Sequence, residues 1–459
     1  MRQIVQEKTI AAISTGQSPG GIGIVRLSGE TARDVADKVF RSKSGKSLQG
    51  AKGYTAHYGH VYDGETELDE AIALVFASPA SFTGEDVVEL SCHGGMVVLK
   101  NVLRAVLAAG AQAAGPGEFT RRAFLNGKLG LTEAESVMQL ISASGNQAVR
   151  IALAGHDGAL EKRIDRIRHR LITAAAHLSA WADYPEDDIP QLDPAVLQAD
   201  LTEARDELTK MIGEFDAGRA IREGVDTVIA GRPNVGKSTL MNLLSGCERS
   251  IVTQFAGTTR DVVEETVLLG DVTLRLADTA GIRSTDDPVE KIGVDKARNR
   301  VRSAQLVLAV FDSSEPLSEE DFILMEEAKD VPSVAIVNKS DLEPVIDMEK
   351  IEKAFSHVVL LSAKEGDGLH KLEDAVAEVL HTGSIDPSEG ILFTERQRDV
   401  SQRALAGVKE ALSALQSGMT LDAVTVSLEG AVGDLLELTG ERATEAVVDE
   451  VFAKFCVGK

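Results

Sequence analysis

The run Gly231-Arg232-Pro233-Asn234-Val235-Gly236-Lys237-Ser238 constrains this chain more than any other feature. It matches G-x-x-x-x-G-K-[ST] and stands between an apolar strand, Val228-Ile229-Ala230, and a helical stretch from Thr239, the setting that the pattern requires. Glycines there let backbone N–H groups and a helix N-terminus face a polyphosphate. Lys237 is placed to reach the β- and γ-phosphates and Ser238 to ligate magnesium. Asn234, Val235, Gly236, Lys237, Ser238 and Thr239 are therefore read as nucleotide-binding.

Further motifs follow in the order that a GTPase needs. Gly257-Thr258-Thr259-Arg260-Asp261 supplies a threonine, Thr259, that suits the metal once its loop closes, and Thr253, Gln254, Phe255, Ala256, Gly257, Thr258 and Thr259 are read as nucleotide-binding. A strand ending at Ala277 delivers Asp278-Thr279-Ala280-Gly281, where Asp278 orients the magnesium shell and the Gly281 amide meets the γ-phosphate. A strand over Val334 to Val337 delivers Asn338-Lys339-Ser340-Asp341. A carboxylate at Asp341 accepts from the N–H and exocyclic NH₂ of guanine, whereas adenine has no matching donors, so GTP is expected rather than ATP. Ser362, Ala363 and Lys364 complete the base pocket.

The residue after this Asp-x-x-Gly is Ile282, where many small GTPases carry a water-positioning Gln. Arg260, Arg283 and Glu290 stand nearby, and a monovalent cation is the other way to neutralise transition-state charge; the residues alone leave this open.

With 459 residues the chain is too long for one core, and helical patterns flank the nucleotide-binding segment on both sides. The expected fold class is α/β and α+β multidomain. It comprises an N-terminal α+β domain (1–118), a helical domain split in sequence (119–215 and 383–459) and an inserted Ras-like P-loop GTPase domain (216–382). Thr132 with Glu135, and Thr394 with Gln397, read as capping boxes. A long helical region runs from the first to about Trp181, with Leu160, Ile164, Ile167, Leu171 and Leu178 on its buried face and Lys162, Arg163, Arg166, Arg168 and Arg170 opposite. That basic face is read as solvated, with RNA contact as the alternative. Arg121, Arg122 and Lys128 make a second basic spot, again either an anion site or a solvated helix face.

A net charge of −24 disfavours nucleic-acid binding through bulk cationic surface. Cys92, Cys247 and Cys456 lie too far apart for a metal or disulfide pattern and fit a reducing cytoplasm. No run approaches the roughly 18 apolar residues of a membrane span. In the N-terminal third, Ser18-Pro19-Gly20-Gly21-Ile22-Gly23 and the pair Ser81-Phe82-Thr83-Gly84-Glu85-Asp86 and Cys92-His93-Gly94-Gly95 are either pocket-lining glycine segments or plain turns. The last residues, Phe455-Cys456-Val457-Gly458-Lys459, read physically as a frayed tail.

In combination, these motifs resemble the MnmE (TrmE) family of tRNA-modifying GTPases from end to end, with the terminal Phe-Cys-Val-Gly-Lys among them. The resemblance implies that, with the FAD-binding partner MnmG, the chain installs an aminomethyl or carboxymethylaminomethyl group at carbon 5 of the tRNA wobble uridine. The one-carbon unit would come from a tetrahydrofolate derivative, 5,10-methylene- or 5-formyl-tetrahydrofolate. It also implies a homodimer through the N-terminal domain, with tRNA held mainly through the partner. Arg26, Glu89, Lys128 and Lys459 match the folate-binding positions, and Cys456 a cysteine needed for modification. Asn234, Thr253, Phe255 (through its carbonyl) and Thr258 match ligands of a potassium ion. Glu290 matches the water-orienting glutamate, although Pro288 just before it departs from the usual loop. A regulatory switch in ribosome or RNP assembly is the other function that a GTPase of this build allows.

Overall fold

The computed structural model describes residues 8–16, 18–183, 194–246, 265–277 and 300–459. The chain forms two compact units, Met1–Met138 with Leu435–Lys459, and Gln139–Asp434.

The first unit is built on β1 (Ile10–Ile13), β2 (Ile22–Ser28), β3 (Phe40–Ser42), β4 (Thr55–Asp63), β5 (Thr66–Phe76), β6 (Val87–His93) and β7 (Gln112–Ala113), in the order β3-β4-β5-β6-β2-β1-β7. All neighbours are antiparallel except the β1–β7 pair. Strand alternation decides the site. Val25 and Leu27 of β2, with Val88 and Leu90 of β6, join the core beneath the helices α1 (Ala32–Val39) and α2 (Met96–Ala108). Arg26 and Glu89 therefore point to the other face, and the β2–β6 register sets them side by side. Helix α3 (Glu118–Leu125) and the helix Glu445–Ala453 close this unit through Phe124, Phe452 and Phe455.

The expected single helical region from Thr132 is broken into α4 (Leu131–Ser142), most of which belongs to the first unit, and α5 (Asn146–His156) and α6 (Ala159–Asp183) of the second. Gly145 and Gly158 interrupt it, and Gly158 adopts a positive φ of 78° that stops a helix. The Thr132–Glu135 box is not formed: both side chains are buried inside α4, and the Glu133 carboxylate accepts from the Gly130 N–H at 2.8 Å instead. The Thr394–Gln397 box is formed and starts the helix Glu395–Gln416. Leu160, Ile164, Ile167, Leu171 and Leu178 are all buried.

The basic face of α6 is not a continuous solvated face. Arg163 is 1% exposed and pairs with Glu207 of α7 (Pro194–Gly213) and with Glu214. Arg170 pairs with Glu203, and Arg168 with Asp165. Acidic residues inside the protein thus already occupy much of the proposed RNA-contacting charge.

Helix α8 (Phe215–Glu223) leads into the second sheet. Its strands are β8 (Val225–Ala230), β9 (Glu265–Leu269), β10 (Val272–Ala277), β11 (Leu306–Asp312), β12 (Ser333–Asn338) and β13 (Val358–Leu360), in the order β13-β12-β11-β8-β10-β9. Only the β9–β10 hairpin is antiparallel. Every residue of β11 is buried, as expected for a central parallel strand covered on both faces. The strand order reverses beside β8, so the loops at the carboxyl ends of β8, β11 and β12 share one edge, where such sheets bind ligands.

Candidate functional site

The phosphate loop follows β8 and opens α9 (Lys237–Gly246). Its bend demands unusual backbone: Gly236 has φ 98° and the non-glycine Asn234 φ 67°. A Cβ at Gly236 would lie 2.2 Å from the Asn338 amide nitrogen, so the glycine is needed for close approach as well as for φ. Val235 is fully buried and anchors the loop, while Ser238 and Thr239 are exposed in the first turn of α9. The Lys237 ammonium donates to the carbonyls of Gly231 (2.6 Å) and Arg232 (2.7 Å), curled over its own loop. Burial lowers its pKa. Desolvated and, among the described residues, hydrogen-bonded to two neutral carbonyls, this cation gains from a polyphosphate.

The elements expected to read the base are stapled to this loop. The Asn338 side chain donates to the Val235 carbonyl (2.8 Å) and accepts from the Ala363 N–H (2.9 Å), joining the phosphate loop, the Asn338–Asp341 turn and the Ser362–Lys364 loop. The Asp341 carboxylate accepts from the Ser362 hydroxyl at 2.7 Å, and that bond holds it below the usual carboxylate range. An ionised, exposed acceptor there fits two guanine donors, and Lys364 is exposed beside it. The structure thus brings together Asn234 to Thr239, Asn338, Lys339, Asp341, Ser362, Ala363 and Lys364. Thr253, Gln254, Phe255, Ala256, Gly257, Thr258, Thr259, Asp278, Thr279, Ala280, Gly281, Arg283 and Glu290 lie outside the described residues, as do Cys247, Arg260 and Ile282. One part of this edge escaped the sequence reading: Asp312, Ser313 and Ser314 match no motif, and their only sign was a carboxylate ending the apolar run Leu306–Phe311.

In the first unit, the Arg26 Nε donates to Glu89 at 2.8 Å and its Nη1 to the Gly458 carbonyl at 3.3 Å, with the guanidinium 5.6 Å above the Phe119 ring. The five terminal residues are not frayed. Phe455 is buried, Pro116 and Val457 form a β-bridge, and the carbonyls of Cys456 and Lys459 accept from the N–H groups of Gly117 (3.2 Å) and Phe119 (3.1 Å). Gly458 makes this seating possible: its φ is 97°, and a Cβ would lie 2.4 Å from the Ile13 carbonyl oxygen. Lys459 is held below the usual lysine range by burial and by the Arg26 charge, with Glu89 and Cys456 opposing. Two cations, one carboxylate and a half-buried thiol thus converge where the tail meets β2 and β6.

Other predicted residues are placed differently. Lys128 is exposed and donates to the Pro79 carbonyl at 3.1 Å, so no direct contact joins it to Arg26 or Glu89. Arg122 is 3% exposed and is committed to Glu85, Glu118 and the Lys8 carbonyl, which makes it a structural cation rather than an anion site. His93 pairs with Asp69 at 2.7 Å. The two glycine segments do meet, because the Gly20 N–H reaches the Gly94 carbonyl.

Among known proteins, a family model described as the MnmE helical domain matches residues 131–456, and one described as the GTP-binding protein TrmE N-terminus matches residues 9–128. Curated relatives carry the name tRNA modification GTPase MnmE. That of Symbiobacterium thermophilum is 44% identical over 457 residues, covering 99% of this chain and 100% of the relative. That of Geobacillus kaustophilus is 42% identical over 458 residues, covering 98% and 99%, and that of Bacillus subtilis 40% over 458 residues, covering 98% and 100%. Among the described residues no helix is long and apolar enough to cross a membrane.

Proposed function

The chain belongs to the MnmE (TrmE) family, and from that membership we propose that it is a tRNA modification GTPase whose nucleotide cycle serves folate-dependent chemistry at the wobble uridine. The observation that carries the nucleotide half is the staple through Asn338, which ties the phosphate loop to the guanine-reading carboxylate Asp341. GTP would lie with its phosphates over the 231–238 loop, its magnesium against Ser238 and Thr259, and its base against Asp341. Magnesium would neutralise charge on the phosphates. Lys237 would exchange its two loop carbonyls for phosphate oxygens.

The convergence of Arg26, Glu89 and Lys459 supports the folate half. Its paired charges suit a ligand that carries carboxylates together with ring N–H donors, and Lys128 would add contact from outside that cluster. A tetrahydrofolate derivative would supply the one-carbon unit there. The Cys456 thiol is half-buried and sits on the same seated tail. Potassium between paired nucleotide domains, held by Asn234, Thr253, Phe255 and Thr258, would replace the missing Gln at Ile282, with Glu290 orienting water and Arg283 assisting. The same reading gives domains 1–118, 119–215, 216–382 and 383–459, a homodimer through the first, an FAD-binding partner of the MnmG type, tRNA held mainly through that partner, and a cytoplasmic location.

Two measurements test this. GTP hydrolysis should rise strongly when potassium replaces sodium, and equal rates in both salts would remove the cation from the mechanism. Calorimetry with 5-formyltetrahydrofolate should give a binding isotherm that Glu89→Ala abolishes. No binding to the intact chain would remove the folate role.

A further inference from the structure

The segment that follows β11 grips the guanine-reading turn from its outer side. Asp312 is the last residue of β11 and is 2% exposed. One carboxylate oxygen accepts from the Ser314 N–H (2.9 Å) and hydroxyl (2.7 Å), and the other meets the Lys339 ammonium. Ser313 completes the grip: its N–H donates to the Asn338 carbonyl (2.9 Å) and its hydroxyl to the Lys339 carbonyl (2.7 Å). The Ser313 carbonyl in turn accepts from Val345 (2.7 Å) and Ile346 (3.1 Å), which pins the far end of the loop carrying Asp341.

The turn needs holding. Lys339 has φ 61°, a left-handed conformation that a non-glycine residue adopts at a cost, and Asp341 is exposed at its end. A carboxylate that reads two donors on one base edge must be fixed to within about 0.5 Å. Asn338 supplies that fixity on the phosphate-loop side, but among the described residues its side chain reaches no atom of residues 339–341. The β11–β12 register, which sets Asp312 opposite Asn338, supplies it on the other side.

We propose that Asp312 is a positioning residue for guanine recognition: through Lys339, and assisted by Ser313, it fixes the Asn338–Asp341 turn and thereby sets nucleotide affinity and base selectivity. The proposal rests on the GTP reading of this site. Asp312 acts in the absence of any contact of its own with the nucleotide, so its loss weakens GDP and GTP equally and leaves turnover at saturating GTP unchanged.

The test measures binding of fluorescent GDP and displacement by IDP, which lacks the exocyclic amine that Asp341 reads, in the full-length chain. Asp312→Asn keeps an acceptor for Ser314 and removes the charge facing Lys339. It is expected to weaken GDP about tenfold, the scale of one charge-assisted hydrogen bond, and to shrink the preference for GDP over IDP, with kcat within about twofold of the parent. Asp312→Ala is expected to do the same more strongly. In a Lys339→Ala background Asp312→Asn should have little further effect, because the two act as one unit. Unchanged GDP affinity and GDP:IDP preference in Asp312→Asn would overturn the proposal, as would fully additive losses in the double variant. If the parent chain itself fails to bind GDP, the GTP reading fails instead, so the two failures are distinguishable. A variant that does not fold is recognised by circular dichroism, and Ser313→Ala, predicted to lower GDP affinity in the same direction, then carries the test: no change in it overturns the proposal.

Discussion

Replacing Arg163 by alanine should unfasten the point where the chain leaves the nucleotide-binding sheet. The Arg163 Nε donates to Glu207 (2.6 Å), and its Nη1 donates to Glu214 (2.8 Å) and to the Gly390 carbonyl (3.1 Å). One side chain on α6 therefore binds α7, the start of α8 and the segment returning after the last strand of the second sheet. Burial pulls the guanidinium pKa down, but hydrogen bonds and charge from Glu214 and Glu207 more than offset it, so the net direction is up and the group stays charged. Removing one partner of a buried ion pair costs roughly 3–5 kcal/mol. Here the orphaned carboxylates keep 36% and 24% side-chain exposure and can recruit water, which points to the lower end, about 3 kcal/mol. That is about a hundredfold in a local opening equilibrium. Global denaturation is a poor readout for a chain of several units, so the assay is amide hydrogen exchange by mass spectrometry over residues 385–393 and the end of α7. Exchange there should rise about a hundredfold in Arg163→Ala. Arg163→Lys should recover only part of the loss, because a point charge cannot span two carboxylates as a planar fork does. Wild-type protection of residues 385–393 in Arg163→Ala would refute the reasoning.

Gly458→Ala should unseat the terminal tail, because its Cβ would meet the Ile13 carbonyl oxygen at 2.4 Å in a backbone of positive φ. Faster alkylation of Cys456 would report it, and an unchanged rate would show that the tail accommodates the methyl group. Burial, followed by the Asp69 charge, pushes the Cys92 thiol up to about 12, so at pH 8 its thiolate fraction is on the order of 10⁻⁴ and maleimide should label Cys456 while sparing Cys92. The hydrogen bond from His93 to Asp69, reinforced by the aspartate charge, raises the histidine pKa. This contact therefore favours the folded state below the ordinary histidine value and loses that contribution as pH rises through the raised one. An NMR titration should place the His93 midpoint above that ordinary value, and Asp69→Asn should return it there.

The candidate nucleotide site was legible because the runs that form it are local. Gly231 to Ser238, Asn338 to Asp341 and Ser362 to Lys364 are short runs whose own backbone supplies most of the donors, so their order along the chain nearly spells the pocket. The buried face of α6 was legible for a similar reason, since helical period alone selects Leu160, Ile164 and Ile167. The opposite face misled: the pattern placed Arg163 among solvated cations, although its partners Glu207, Glu214 and Gly390 lie 44, 51 and 227 residues away. The capping box expected at Thr132 failed because α4 starts one residue before it, and packing buried the would-be cap.

The sequence by itself determined the candidate nucleotide loop of Gly231 to Ser238, because the chemistry expected of a phosphate cradle and of a guanine-reading carboxylate is written in contiguous residues. Only the tertiary structure decided that the last five residues are seated against the first unit rather than frayed. Cys456 and Lys459 are made near neighbours of Arg26 and Glu89 by β2–β6 pairing and by a tail that fits only with glycine at position 458. Likewise it alone assigned Arg122, Arg163 and Asp312 to structural or positioning work, because burial and charge pairing across distant segments depend on which surfaces fold against each other. A local pattern carries no record of that.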